Sequence, residues 1–169
     1  MEKYELVDKN GNKTGKILTQ IESRDINNIP TGQYISVVGV VIINENNEIL
    51  LQKRSKFKKI NPGKWGICGG KVEIGETTLD AGIRETFEEI GIALNKSELK
   101  FLSTAKNEKA HFTVYYVRKN VDINKCKIQE DELEELRYFK IEELENLDNE
   151  GFEWLESLKK LYKNKKITT

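Results

Sequence analysis

Residues 69–92 read GGKVEIGETTLDAGIRETFEEIGI, and this stretch decides the fold of the 169-residue chain. A glycine-rich loop runs directly into a segment with helical periodicity. Thr77 is a suitable N-cap, and Asp80 three residues later completes the spacing of a capping box. Gly91 follows the last periodic residue, where a glycine often ends a helix. The pattern predicts a loop followed by a helix of about 14 residues, roughly 21 Å long.

The predicted helix has two chemically different sides. At about 100° per residue, Glu85, Glu88 and Glu89 fall within an arc of roughly 100°. The opposite side carries the residues that we expect in the core: Leu79, Ile83, Thr86, Phe87 and Ile90. Like charges at these spacings cost about 0.2–0.5 kcal/mol per pair in a bare helix. A divalent cation would turn that repulsion into a binding site, and the alternative is a solvated face with local ion pairs.

The residues upstream of the helix favour a ligand site. Five of the twelve glycines lie within 13 positions: Gly63, Gly66, Gly69, Gly70 and Gly75. Six basic residues occupy the twelve positions before Trp65: Lys53, Arg54, Lys56, Lys58, Lys59 and Lys64. Glycine-rich backbone, clustered cations and clustered carboxylates form a consistent set for a metal-bound phosphate ligand.

Composition is typical of one enzyme domain that occupies residues 1–169. The 28 basic and 28 acidic residues give a net charge of zero, which argues against a polymeric nucleic acid as partner. We find no apolar run of the roughly 18–20 residues that a membrane span needs, and no signal-peptide core at the N-terminus. Two cysteines are too few for a disulfide framework, so we expect a cytoplasmic location with reduced thiols.

The rest of the chain predicts an α/β fold in which a mixed sheet is sandwiched between helices. An N-terminal extension of about residues 1–30 begins with a hairpin, 3–8 and 13–18, around Asn10-Gly11. Strands are predicted at 36–43, 48–53, 99–104, 112–118 and 136–139, with short extended pieces at 65–68 and 71–73. Helices are predicted at 141–147 and at 151–163, the second with Phe152, Leu155 and Leu158 facing inward.

The glycine loop and helix carry a known pattern: glycine, five residues, glutamate, seven residues, then Arg-Glu-U-x-Glu-Glu-x-Gly-U, where U is aliphatic. The matching residues are Gly70, Glu76, Arg84, Glu85, Glu88, Glu89, Gly91 and Ile92. This pattern is the Nudix box, and the chain resembles the Nudix (MutT-like) hydrolase family. Thr86 departs from it at the first U position. Because Thr86 lies on the stripe expected to be buried, the departure indicates altered packing and no lost catalytic group.

The resemblance implies a role for each box residue. Glu88 and Glu89 match the main metal-binding glutamates, and the Gly70 carbonyl matches a backbone oxygen found on the metal. Glu85 matches the position that completes the metal site or assists the attacking water. Arg84 matches the arginine that orients these carboxylates, and Glu76 a supporting loop glutamate. The implied reaction is attack of water on a phosphorus of a pyrophosphate linkage, with Mg²⁺ or Mn²⁺ as cofactor.

Residues outside the box are candidates for substrate contact or catalysis. Arg54 ends the strand EILLQKR and Lys64 lies in the turn before the box, and we predict that both contact substrate phosphate. Glu132 precedes an arginine-aromatic strand, and some family members take a metal ligand or general base from this region. The alternatives are a solvated strand end for Arg54 and an acidic surface loop for Glu132.

Two other functions stay open at this point. The flanking pattern LLQKRS and Cys68 resemble the Nudix branch that includes isopentenyl diphosphate isomerase, in which a nearby cysteine does acid-base chemistry. That enzyme holds its metal with several histidines, whereas this chain has one, His111. We therefore predict that Cys68 is a small buried residue or a pocket wall. A catalytically inactive Nudix nucleotide-binding module is the other alternative, although such proteins usually lose box glutamates.

The resemblance also indicates which substrates and partners to expect. It implies a small diphosphate substrate, nucleotide-derived in many relatives, such as a nucleoside diphosphate linked to another moiety. Substrate choice lies outside the box, and we expect residues 19–34 and 105–112 to form the pocket walls. A homodimer is possible, because many relatives are dimers and the N-terminal hairpin offers a strand edge.

Overall fold

The computed structural model describes residues 1–59, 61–147 and 153–164. Its strands are β1 (Lys3–Val7), β2 (Lys13–Thr19), β3 (Ile35–Ile43), β4 (Ile49–Arg54), β5 (Trp65–Gly66), β6 (Cys68–Lys71), β7 (Lys100–Lys106), β8 (Ala110–Arg118) and β9 (Leu133–Phe139). Its helices are α1 (Thr78–Ile90), α2 (Ile141–Leu144) and α3 (Glu153–Lys163). Short 3₁₀ helices cover Glu22–Arg24, Ile26–Asn28 and Ile123–Lys125.

A mixed sheet forms the centre of the described part of the chain. Its strand order is β5-β4-β3-β8-β7, with β6 also paired to β3 and β9 to β4. β3 and β8 run parallel from Ile35↔Ala110 to Ile43↔Arg118. Along β3, residues 37–40 pair with β6 and residues 42–43 pair with β4. β4 and β6 therefore pair with the same edge of β3, opposite the edge that pairs with β8. α1 packs against β6.

Helices cover both faces of the sheet, which confirms the predicted α/β/α arrangement. Val41 and Ile43 of β3 pack in a cluster with Leu155 and Leu158 of α3. The alternate residues Val40 and Ile42 pack in a second cluster with Ile90 of α1. This alternation follows from the period of two along a strand, and it explains why the SVVGVVII run is apolar on both faces. None of the described helices has the length and apolar character needed to cross a membrane.

The N-terminal hairpin is confirmed. β1 and β2 form a separate two-stranded sheet, and Gly11 in the turn has the positive φ of +85° that the Asn-Gly pair predicts. Leu6 and Leu18 of the hairpin pack with Ile29 and Ile35. Between β2 and β3, two 3₁₀ helices cover Glu22–Arg24 and Ile26–Asn28, and Ser23 of the first accepts a hydrogen bond from Lys71 of β6 at 2.8 Å.

α1 begins and ends where the sequence predicts, but its buried stripe is rotated. The capping box of Thr77 and Asp80 is present, and Gly91 is left-handed at φ +75°. Phe87, predicted to lie in the core, is 59% exposed, so that prediction was wrong. Gly82 explains the difference, since a Cβ there would lie 3.1 Å from Val40 Cγ2. The helix approaches β3 on the Gly82 side, and this turns Phe87 outward and buries Glu89.

Other boundaries differ from the predictions by a few residues. β9 begins at Leu133 instead of residue 136, because pairing with β4 continues to Leu133↔Arg54 and supplies backbone partners. α2 ends at Leu144 instead of residue 147. The extended pieces predicted at 65–68 and 71–73 form β5 and β6. The predicted start of the last helix, including Phe152, lies outside the described residues.

Candidate active site

Arg84 gathers three box residues into one ion-pair network, which we name the Arg84 cluster (Arg84, Glu76, Glu85 and Glu88). Arg84 Nε and Nη2 donate to the two carboxylate oxygens of Glu76 at 2.7 and 3.0 Å. Its Nη1 donates to Glu85 at 2.9 Å and to Glu88 at 3.1 Å. These hydrogen bonds, with Glu76 the strongest partner, raise the pKa of Arg84 and lower the pKa of Glu76. One guanidinium therefore holds three carboxylates in place.

The Arg84 cluster lies against the glycine loop. Arg84 Nη2 also donates to the Lys71 carbonyl at 3.1 Å, so the cluster is tied to the free edge of β6. A Cβ on Gly70 would lie 2.3 Å from Glu85 Oε1, so only glycine lets this backbone touch the carboxylate. Burial raises the pKa of Glu85, although the hydrogen bond and charge of Arg84 oppose the shift. The backbone at Gly70 and the Glu85 carboxylate are thus in close contact.

Glu89 occupies a different environment, which we name the Glu89 pocket (Glu89, Gln52, Cys68 and Gly69). Glu89 is 5% exposed and accepts hydrogen bonds from Gln52 Nε2 at 2.9 Å and from the Gly69 N–H at 3.0 Å. Burial raises the pKa of Glu89 to about 8, and those two hydrogen bonds oppose the shift. The sequence predicts that the three glutamates share one face of the helix, opposite the core. The close packing of α1 on the sheet instead buries Glu89.

Gln52 is a site residue that the sequence analysis missed. Its amide oxygen accepts from Cys68 Sγ at 3.4 Å, so one side chain connects the thiol to the Glu89 carboxylate. The position of Gln52 in the sequence could have indicated this role. Gln52 lies two positions after Leu50, so it shares the α1 face of β4 with that buried residue. A polar residue on a face that packs against a carboxylate-rich helix is a candidate partner for one of the carboxylates.

The structure brings the predicted residues outside the box to one end of β4. Arg54 and Lys64 are neighbours, since the Arg54 N–H donates to the Lys64 carbonyl at 2.9 Å. Glu132 directly precedes β9. Its carbonyl accepts a hydrogen bond from the Ser55 N–H, and its carboxylate forms an ion pair with Lys58 at 2.6 Å. The charge of Glu132 also contributes to raising the pKa of Glu89. The two predicted phosphate contacts and Glu132 therefore lie on the β4 side of the Glu89 pocket.

The donor set fits a hard divalent cation. Glu85, Glu88, Glu89 and the Gly70 carbonyl offer oxygen ligands, the type that Mg²⁺ and Mn²⁺ prefer. Among the residues that the structure describes, no three His, Cys, Asp or Glu side chains already surround a common point. The reason is visible in the contacts, because Arg84 holds Glu85 and Glu88 while Gln52 and Gly69 hold Glu89. A cation at Gly70 would draw on these carboxylates and on substrate phosphates together.

Cys68 and His111 lie where neither contributes to a histidine metal site. Cys68 is buried, as predicted, and burial raises the pKa of its thiol. His111 is buried on β8 beside the hairpin turn, where a Cβ on Gly11 would lie 3.3 Å from its ring. Burial lowers the pKa of His111. The single histidine is thus part of the packing between the hairpin and the sheet.

Comparison with known proteins identifies the family of the chain. The NUDIX domain model matches residues 33–158. The uncharacterized Nudix hydrolase lmo0368 of Listeria monocytogenes is 31% identical over 144 residues, which cover 85% of this chain and 82% of that protein. An RNA pyrophosphohydrolase of Ruthia magnifica is 33% identical over 85 residues, or 50% of this chain and 44% of that protein.

A solved structure shares the fold. DR0079 from Deinococcus radiodurans superposes with a TM-score of 0.67 at 20% identity, covering 85% of this chain and 86% of that one. The matched domain spans well over half of the chain and includes every residue of the Arg84 cluster and the Glu89 pocket. The chain therefore belongs to the Nudix hydrolase family.

Proposed function

We propose that this chain is a metal-dependent hydrolase that cleaves a pyrophosphate linkage, in a nucleoside diphosphate joined to another moiety or in a related diphosphate. The observation that carries the proposal is the contact of the Gly70 backbone with a carboxylate of the Arg84 cluster, directly beside buried Glu89. The name of the partial relative, an RNA pyrophosphohydrolase, supports the same bond type. Magnesium or manganese and a cytoplasmic location are parts of the proposal.

Each residue has a proposed task. Glu85, Glu88, Glu89 and the Gly70 carbonyl would hold the cation, which when bound neutralises charge and polarises phosphoryl oxygens. Arg84 orients Glu85 and Glu88 through the hydrogen bonds described above. Arg54 and Lys64 would bind phosphate from the β4 side. Glu85 and Glu132 are the candidates for accepting a proton from the attacking water.

The test is the release of phosphorylated products, either phosphate monoesters or inorganic phosphate resolved by chromatography, from a panel of nucleoside diphosphate-linked compounds, nucleoside di- and triphosphates and isopentenyl diphosphate. Assays run with magnesium, with manganese and with chelator. Glu88→Gln removes one ligand charge from a side chain that is 53% exposed, so it leaves folding intact. We expect metal-dependent release by the wild type and a loss of at least about 100-fold in the variant.

Each other outcome has a meaning. Unchanged turnover in folded Glu88→Gln would overturn the catalytic assignment. Conversion of isopentenyl diphosphate without phosphate release would favour the isomerase alternative. Ligand binding without turnover on any compound would favour the inactive binding module.

A further inference from the structure

The loop after β4 is joined to the start of β9 by three contacts. The Ser55 N–H donates to the Glu132 carbonyl at 2.8 Å, and Lys58 Nζ donates to Glu132 Oε1 at 2.6 Å. The Lys56 N–H donates to the Glu134 carboxylate at 2.8 Å. Glu132 therefore makes two of the three contacts, one with its backbone and one with its side chain.

Ser55 fixes the path of this loop. It is 2% exposed, and its carbonyl accepts a hydrogen bond from the Lys58 N–H at 3.1 Å. Its hydroxyl oxygen accepts a second one from the Phe57 N–H at 3.3 Å. The backbone of Lys58 is thus held in a turn next to the residue that also contacts Glu132. A lysine that starts from a fixed backbone loses less conformational entropy when it forms an ion pair.

The backbone of Glu132 is also tied to the end of α1. Its N–H donates to the Gln129 carbonyl at 2.8 Å, and the Gln129 N–H donates to the Glu89 carbonyl at 3.2 Å. The next residue, Leu133, is 2% exposed and packs in the cluster that includes Ile90 of α1. Two hydrogen bonds and a buried neighbour therefore hold the Glu132 backbone near the Glu89 pocket.

Lys58 supplies the constraint on the Glu132 carboxylate. Within the described residues, Oε1 accepts a hydrogen bond from Lys58, and Oε2 accepts none. Both side chains keep some contact with solvent, at 26% exposure for Lys58 and 31% for Glu132. A general base needs this arrangement, because one group orients the carboxylate while a second oxygen stays free to accept a proton.

Glu85, the other candidate for accepting the proton, has different contacts. Its Oε1 accepts a hydrogen bond from Arg84 Nη1 at 2.9 Å, and its carboxylate lies against the Gly70 backbone. These contacts suit a ligand of the proposed cation. Glu132 lies outside the Arg84 cluster and has its own orienting cation in Lys58.

We propose that Lys58 is a positioning residue that orients Glu132 as the proton acceptor for the attacking water. The role of Glu132 rests on the proposed function. As the water oxygen bonds to phosphorus, Glu132 Oε2 accepts the proton that the water loses. The bond from that phosphorus to the bridging oxygen breaks, its electron pair stays on the leaving phosphate, and Glu132 later returns the proton to solvent. Lys58 holds Oε1 throughout, so the carboxylate keeps one orientation.

A double-mutant cycle with magnesium and the fastest panel substrate tests this role. Lys58→Met removes the ammonium, and we expect it to lower kcat about tenfold with KM unchanged. Lys58→Arg keeps the charge and should retain most of kcat. Glu132→Gln should lower kcat about 100-fold. Adding Lys58→Met to Glu132→Gln should then have no further effect, because no base is left to orient.

The chain offers a matched control in the ion pair of Lys119 and Glu98. Its N–O distance is 2.8 Å and its side chains are 32% and 30% exposed, close to the values for Lys58 and Glu132. Lys119→Met should leave kcat and KM unchanged. Equal kcat values for Lys58→Met and this control would overturn the positioning role, and so would a raised KM in Lys58→Met that persists beside Glu132→Gln. Hydrolysis by the wild type leaves the proposed function standing in both cases.

Amide hydrogen exchange tests the contact without catalysis. The N–H groups of Ser55 and Glu132 should exchange about twofold to fivefold faster in Lys58→Met, as expected for the loss of a partly exposed ion pair. They should exchange at the wild-type rate in Lys58→Arg and Lys119→Met. Equal exchange in all of these proteins would overturn the inference even where the wild type hydrolyses substrate. Absence of hydrolysis by the wild type would overturn the proposed function and, with it, the catalytic role of Lys58.

Discussion

Glu88 and Glu89 are neighbours in the chain, yet they lie in two regions with different physical chemistry. Glu88 belongs to the Arg84 cluster, is 53% exposed and shares a guanidinium with two other carboxylates. Glu89 lies in its own pocket, 5% exposed, with neutral donors from Gln52 and Gly69. The first region balances charge with charge, and the second holds a carboxylate in place by burial and hydrogen bonds.

The difference teaches which changes affect activity alone and which affect folding as well. Exposed ion pairs contribute little to stability, so the outer carboxylate is free to serve ligand binding. A buried carboxylate without a cation depends on every donor that it has. Substitution of Glu88 should therefore change activity alone, whereas substitutions in the Glu89 pocket should change stability as well.

The largest effect is expected from Arg84→Gln. Without the guanidinium, Glu76, Glu85 and Glu88 repel one another and lose their orientation. We expect activity to fall about 10²–10³-fold and the free energy of unfolding to fall by about 1–2 kcal/mol. Urea unfolding and phosphate release measure the two quantities. The control is Lys125→Gln, which breaks an exposed ion pair with Asp122 and should change neither activity nor stability. An Arg84→Gln protein as active as this control would refute the orienting role of Arg84.

Gln52→Leu tests the Glu89 pocket. The substitution keeps the volume but removes the amide that donates to Glu89, leaving a buried carboxylate with one donor fewer. The free energy of unfolding in chelator should fall by about 1–3 kcal/mol. Gln20→Leu removes an exposed amide-carboxylate bond and should stay within about 0.5 kcal/mol of the wild type. Equal stability of the two variants would show that Gln52 does not support Glu89.

The pH dependence of stability tests whether Glu89 is buried with a raised pKa. The folded-state pKa of Glu89 is about 8 against an ordinary value of 4.5, so between these pH values the folded protein binds more protons than the unfolded chain. In chelator, the wild type should therefore lose stability relative to Glu89→Gln as pH rises through this window. Unfolding curves from pH 4.5 to 8 measure the difference. Parallel profiles for the two proteins would contradict the buried environment.

Thr86→Val should have the smallest effect. The Thr86 hydroxyl is buried and donates to the Gly82 carbonyl at 2.8 Å, so it is satisfied within its own helix. Valine restores an aliphatic residue at this box position and keeps the shape. We expect unchanged activity and a stability change within about 1 kcal/mol, read from thermal unfolding. A marked loss of activity would give Thr86 a role beyond packing.

Local patterns explain why much of the fold was predictable. The capping box at Thr77 and the glycine at Gly91 depend on neighbouring residues, and both helix ends were confirmed. The Asn10-Gly11 turn and the β-branched run of β3 are local signals of the same kind. Periodicity alone did not determine the rotation of α1, since that depends on the approach of Gly82 to Val40 of β3, which is 42 residues earlier in the sequence.

The site was predictable in part for the same reason. The family resemblance names residues within 23 positions, but it does not say which carboxylate is buried. Gln52 reaches Glu89 across 37 residues, and Ser23 reaches Lys71 across 48. Such contacts arise from sheet topology and hairpin placement. The roles of Arg54, Lys64 and Glu132 stay predictions that the variants of those residues would test.

Hydrolysis in ¹⁸O-labelled water tests the central claim most directly. The panel compound that turns over fastest is incubated with magnesium and the wild type, and the products are analysed by mass spectrometry. If water attacks phosphorus in a pyrophosphate linkage, one phosphate product carries a single ¹⁸O, and Glu88→Gln produces almost none of it. Products without label, or equal labelling by the wild type and Glu88→Gln, would contradict the account.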